Sequence, residues 1–543
     1  MALVDTQTGA SPGRWFIALK RSAKRLAIAI SLASLCESSS GQSTTFTYDP
    51  TVSGSNVWTN SAKWGLPSGY PNEDGTVINL RRVASATTLN LGITSVTVGK
   101  INGGSAGTGT GQWSIGSSGG VITLDNSIWG EGVFPAELNA LNGALRIDAQ
   151  MMAEKGVSIS GGYTTQIYHP NTVLRGGITV MGSGGAYFGH AGSVNQSTIN
   201  IQGSGGLRFG NATASDLEIS SDFVTGSVNA GIGTNITNGS TMTVSGNITG
   251  TGGIRLFSEN TARNDVTELT GQNDYLGTTI IRTNVKFHEL RNFGDGAISF
   301  DTTARTLTYA SGNEADITQT VAGLTRSVTF GVDTTIDTAD NNVTYRYSIV
   351  GAGRLIKTGQ NSLTLLAENG FQGVSVQEGS LTVGDDSATG GNSKSLVLGN
   401  GTSLEIMENT GLEVLNLSLA SLNQISFTLN PMASDATHIA VFGDQTGDGT
   451  YIVDIPNSYS LFSGEYTLLS VAGNAAASSF ALASGTAGEL HWDQNAGVLT
   501  YTAVPEPSAQ VLVILAGGLG MIFRRRLKRD LKGLRKGEAT FDQ

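Results

Sequence analysis

The sequence predicts an all-β chain whose short strands stack into a solenoid, and three observations carry that expectation. Gly is 74 of 543 residues and charged residues are 14 %; Gly and β-branched residues both disfavour helices. Runs such as TVINL, SVTVG, GVITL, TINIQ, TMTVSG and SLTVG alternate apolar and polar residues over four to six positions. A period of two places alternate side chains on opposite faces of a strand. Gly, Asn, Ser and Asp separate the runs, as tight turns require. Finally, the chain resembles itself at irregular spacing, as expected when successive coils bury one shared core. The alternation also argues against a disordered body.

Residues 1–41 read as an export signal. Arg14, Lys20, Arg21, Lys24 and Arg25 precede the apolar run LAIAISLASLC, and a small polar stretch ends at Gly41. A basic region, a short apolar region and small residues in that order define a signal peptide. The run is shorter than the roughly 20 residues a bilayer needs. Cys36 is the single cysteine, so a chain starting after it holds no disulfide and no thiolate metal site. Between Gln42 and Val504 there are 19 basic against 37 acidic side chains, a net charge near −18. A body of that sign is not steered onto nucleic acid or anionic lipid.

Residues 42–430 form the expected β-solenoid. Hardly any stretch keeps a helical period beyond two turns, and the best candidate is VFPAELNALNG, from Val133 to Gly143. GLRFGNATASDLEI (206–219) matches SLVLGNGTSLEI (395–406), and TELTGQNDYLGTTII (267–281) matches LTLLAENGFQGVSVQ (363–377). In the second pair Asn273, Tyr275 and Gly277 answer to Asn369, Phe371 and Gly373. An Asn in such a turn can bond the backbone of the next coil, and an aromatic can stack on its neighbour. The stretch 351–384, GAGRLIKTGQNSLTLLAENGFQGVSVQEGSLTVG, resembles the autotransporter-associated β-strand repeat. Gly351, Gly353, Leu355, Lys357, Gly359, Asn369, Phe371 and Gly373 fall on that pattern, and 250–281 is similar to a second, looser copy. The resemblance implies a right-handed parallel β-helix of the kind found in bacterial surface passengers.

Longer strands occupy 431–504, which is expected to form a small β cap over the solenoid's open end. Within it DQTGDGTYIVDI resembles a calcium loop, with Asp444, Thr446 and Asp448 at positions one, three and five. Position twelve is Ile455 rather than a bidentate Glu, so turn residues of a hairpin are the simpler reading. GAGRLIKT lacks the Gly before Lys that a phosphate loop requires. Gly103 to Gly107 matches G-x-S-x-G, but GTGTGQW behind it cannot begin the helix of a nucleophile elbow. His169, His190, His288, His438 and His491 stand singly, without metal-ligand spacing. Asp333, Asp337 and Asp340 read as a solvated edge, and Trp58 and Trp64 as a plug for the first coil rather than a sugar platform. No metal and no cofactor is expected.

Residues 505–543 close the chain. VPEPS (Val504, Pro505, Glu506, Pro507, Ser508) leads into sixteen uncharged residues, 508–523, and then Arg524, Arg525 and Arg526. Motif, short apolar helix and basic cluster in that order resemble the PEP-CTERM sorting signal. This implies a single C-terminal transmembrane helix, at least transient membrane contact through 508–523, and recognition by an exosortase-type membrane protease. It also implies an inner-membrane intermediate and delivery to the surface or extracellular matrix of a Gram-negative bacterium. The expected function is a non-catalytic scaffold or adhesin, with extracellular polysaccharide as a candidate partner and no nucleic acid. The alternatives are a β-helix polysaccharide lyase or hydrolase, which needs carboxylates clustered with Arg or Lys on one face, and a carbohydrate-binding module.

Overall fold

The computed structural model describes residues 44–504 except Ser53, 105–110, 127–134, Gln196, Ala212, Ala214, 227–228, Asp435 and Asp448, together with Arg524 and Arg526. The expected signal peptide, and the sorting segment apart from those two arginines, lie outside the described residues. Among the described residues no helix is long and apolar enough to cross a membrane. The described chain is all-β and nearly every strand pairs in parallel. It divides into two compact units, Met1–Ile178 and Thr179–Gln543.

In the first unit the chain visits three parallel sheets in rotation. Lys100–Gly103, Trp113–Gly116 and Val121–Leu124 are followed by Ala136–Ala140, Leu145–Ile147 and Gln150–Ala153, each pairing with its predecessor one coil earlier. This is the strand order of a three-sided β-helix. Ile101, Leu138 and Ile159 stand in register and fully buried; each such side chain contributes roughly 1.5–3 kcal/mol of burial. The helical pattern at Val133–Gly143 is overruled, because Ala136–Ala140 is a strand held between Lys100–Gly103 and Val157–Gly161. A helix that short is marginal in water, whereas two neighbouring strands satisfy all its backbone groups.

Asparagines reinforce the same sheet. Asn102 Nδ2 donates to Asn79 Oδ1 at 2.8 Å and Asn139 Nδ2 donates to Asn102 Oδ1 at 2.8 Å, three positions in strict register. At the start of the unit Trp58 and Trp64 are buried with Tyr48 and Trp113. Trp58 Nε1 donates to the Pro71 carbonyl at 3.0 Å, Trp64 Nε1 to the Trp58 carbonyl at 2.6 Å, and Tyr48 meets Trp64 edge-on at 4.8 Å. Both indoles are spent inside the coil.

In the second unit one sheet runs in parallel from Leu217–Ile219 to Gln445–Thr446 and another from Val343–Tyr345 to Ser479–Leu482. The parallel order therefore continues past residue 431. Among the described residues antiparallel strands occur where Val498–Ala503 joins Gly464–Val471 and Glu489–Asp493, and a single antiparallel bridge links Gln319 and Thr325. Glu489–Asp493 is the last strand of its sheet and carries Glu489, His491 and Asp493 on one face, charged chemistry that discourages further strand addition.

Candidate functional site

The repeat residues act in stacking the coils. Asn369 Oδ1 accepts the Ile349 N–H at 2.7 Å, and its Nδ2 donates to the Ala388 carbonyl at 2.8 Å. Asn273 does the same between Ile248 N–H (2.8 Å) and the Asn292 carbonyl (2.7 Å). Phe371 and Tyr275 are fully buried beside them, and Phe371 stacks on Phe330 at 6.2 Å. Leu355 points into the core. A Cβ at Gly351, Gly353, Gly359 or Gly373 would come within 2.5 Å of an adjacent coil's backbone, and Gly351 also holds φ +137°. Lys357 is fully buried, and its Nζ donates to the carbonyls of Thr358, Gly359 and Glu378 at 2.8, 2.7 and 3.1 Å. Burial pulls its pKa down to about 8, against the opposing pull of Asp337 and Glu378.

Of the calcium residues, Asp444 Oδ1 accepts the backbone N–H of Asn474 at 2.9 Å and its side-chain amide at 3.0 Å. Thr446 lies in a strand paired with Ser418, and Asp448 is outside the described residues. Among the described residues no cluster of three His, Cys, Asp or Glu side chains could hold a metal. Val504 is exposed, as are Arg524 and Arg526; Pro505, Glu506, Pro507, Ser508 and Arg525 are not described.

A different site emerges on the outer face of the second unit. Leu207–Phe209, Ala230–Thr234, Ile254–Ser258, Thr279–Arg282 and Ile298–Phe300 lie side by side in parallel. Leu207, Ile232, Leu256, Ile281 and Phe300 form the inward column, all fully buried. Alternation then turns Arg208, Gly233, Phe257 and Arg282 outward in one row, with Gly231 and Arg255 in the row beside it. The glycines leave a floor of bare backbone: a Cβ at Gly233 would meet the Phe257 ring at 2.4 Å, and one at Gly231 would meet it at 3.1 Å. The ring lies on that floor, with the guanidinium carbons of Arg208 and Arg255 at 5.5 and 5.6 Å from its centroid.

The result is a hollow of about 390 Å³ walled by Arg208, Arg255, Phe257, Thr261, Arg282 and Thr303. Its charges are unequally matched. Arg282 grips Asp301 with a fork, Nε to Oδ1 at 2.8 Å and Nη2 to Oδ2 at 2.7 Å. Arg208 pairs with Glu259. Among the described residues no carboxylate pairs with Arg255 and no hydrogen bond holds it, so three guanidiniums face two carboxylates. Burial, then the charges of Arg282 and Arg208, hold the Arg255 pKa below the ordinary arginine range. The hydrogen bonds from Arg282 hold Asp301 below the usual carboxylate range. Thr303 Oγ1 is buried without a partner on the wall. Beneath it, Ser258 Oγ donates to Asp265 Oδ2 at 2.9 Å, and burial raises the Asp265 pKa. Such a site can hold a single anionic group against an aromatic face.

Sequence reading missed the hollow because Arg208, Arg255 and Arg282 are far apart along the chain and meet only through the strand register. A signal existed in AGIGT, where outward glycines alternate with inward Ala230 and Ile232. No protein-family model matches the chain, and no curated protein or solved structure matches it either. Fold and site together define a parallel β-stacked protein with a cationic hollow on one face.

Proposed function

We propose that this chain is an exported, non-catalytic scaffold of a Gram-negative cell surface or extracellular matrix. In this reading its coil is a right-handed β-helix, its first 41 residues are removed on export, and 505–543 is a PEP-CTERM signal. The helix 508–523 holds an inner-membrane intermediate until an exosortase-type protease releases it. The observation that carries the reading is the employment of the repeat residues: Asn273, Asn369 and Lys357 are buried and hydrogen-bond coil to coil, and Phe371 stacks on Phe330 of another coil. A chain that devotes its most distinctive residues to stacking is built to extend and persist. Mass spectrometry of the mature protein tests the sorting step. A C-terminus near Val504 to Ser508 supports it, and an intact Gln543 on the surface-exposed protein overturns it.

The cationic hollow favours a carbohydrate-binding role over polysaccharide cleavage. Glu259 and Asp301, the carboxylates at its edge, are each tied to an arginine, which suits a fixed counter-charge better than a proton acceptor. Reproducible chain cleavage in a screen of acidic and neutral polysaccharides would replace the scaffold reading with an enzymatic one.

A further inference from the structure

We propose that the hollow over Gly206, Gly231 and Gly233 binds one uronate residue of an acidic polysaccharide, its carboxylate on Arg255 and its ring against Phe257. The inference rests on the matrix reading only for where the ligand would be met; the binding itself stands on the geometry.

Three features select the ligand. The first is charge: Arg208 and Arg282 are already matched by Glu259 and Asp301, which leaves one guanidinium and a local surplus of one positive charge. A nucleic acid brings consecutive phosphates and needs several free cations, and the chain as a whole carries −11. One carboxylate per sugar fits one free guanidinium, which can receive it through two parallel N–H donors.

The second feature is the floor. Phe257 is half-buried, pressed onto backbone that only glycine leaves bare. An inorganic anion would leave that ring idle, whereas the C–H face of a pyranose packs on it. The third is the rim, where Thr261 and Thr302 present exposed hydroxyls beside the ring. A carboxylate, a hydroxyl-bearing rim and an apolar face are the chemistry of a uronic acid.

The test is calorimetric titration of galacturonic acid oligomers into the purified chain, beside neutral galactose oligomers and sulfated galactose oligomers. The uronate oligomer should bind and the neutral one should not. Arg255→Ala should weaken binding about ten- to a hundredfold, the range for a charge-assisted hydrogen bond. Phe257→Leu should weaken it several-fold, while Arg354→Ala, an exposed arginine elsewhere on the unit, should leave it unchanged. Arg255 points outward, so thermal unfolding of Arg255→Ala should match the parent and separate lost binding from lost folding. Three results would overturn the proposal: no uronate binding, equal affinity for the sulfated or neutral oligomer, or binding indifferent to Arg255→Ala. None of them bears on C-terminal processing, so this test and that of the export reading fail separately.

Discussion

Asn369 Oδ1 accepts the backbone N–H of Ile349, twenty residues earlier in the chain and one coil away, at 2.7 Å. Its amide hydrogens go to Ala388 in the following coil and to Ala367 in its own turn. One side chain thus ties successive coils beside a single backbone bridge, in which the Gly370 N–H donates to the Ile349 carbonyl at 2.8 Å. Asn369→Leu leaves a buried N–H and a buried carbonyl unpaired, each worth roughly 1–3 kcal/mol. We expect a loss of about 2–4 kcal/mol in denaturant unfolding, and loss of hydrogen-exchange protection at the Ile349 amide. An Ile349 amide as protected as in the parent would rule this role out.

Lys357 gives the fold a pH dependence. Its folded-state pKa of about 8 lies below the 10.5 of an ordinary lysine. Below pH 8 the side chain is charged in folded and unfolded chains alike, and the full burden of burying the ammonium is present. Between pH 8 and 10.5 the folded chain has released the proton and the unfolded chain still holds it, so the folded state gains stability as pH rises. Relative to Lys357→Met, the parent should gain on the order of 3 kcal/mol across that window. A difference that stays flat from pH 7 to 10.5 would refute the shift.

Gly233 and Phe257 compete for one volume. Gly233→Ala puts a methyl 2.4 Å from the resting position of the ring, and crowding of that order costs about 1–3 kcal/mol. Removing the ring removes the conflict, so Gly233→Ala should be nearly neutral in a Phe257→Ala background. Thermal unfolding of the four chains forms the cycle; strict additivity would mean the ring does not occupy the floor.

Trp58 closes the first unit from inside. Full burial and its bond to the Pro71 carbonyl predict that Trp58→Ala destabilises that unit by about 3–5 kcal/mol. Exchange protection at Asn90, whose carbonyl accepts the Trp58 N–H at 2.9 Å and whose amide donates to Asn56, should fall with it. Stability unchanged by Trp58→Ala would return this indole to the surface as a sugar platform.

How much of this was legible in the sequence depends on how local each cause is. SLTL at Ser362–Leu365 alternates in sequence and alternates in burial, because period two is a property of four residues. Asn273 and Asn369 were found as a pair because each sits in the same short turn between Gly-rich leads. The stretch Val133–Gly143 misled, since the strands that claim Ala136–Ala140 lie more than thirty residues before it and about twenty after. The hollow was out of reach for the same reason. Arg208 and Phe257 meet only because turns of unequal length bring their strands into register, and composition carries no trace of register.

The offsets between neighbouring strands also set how the second unit yields to force. Thr334 lies beside Leu355, and Leu355 beside Val374, so the coils in this stretch hold about twenty residues each. A pull that peels away one such coil breaks its bonds to the next coil in more than one sheet and pays out roughly 70 Å of slack at about 3.5 Å per residue. The coil beneath is left intact to take the load next. Tension is absorbed in instalments, and the tether lengthens many times over before it parts.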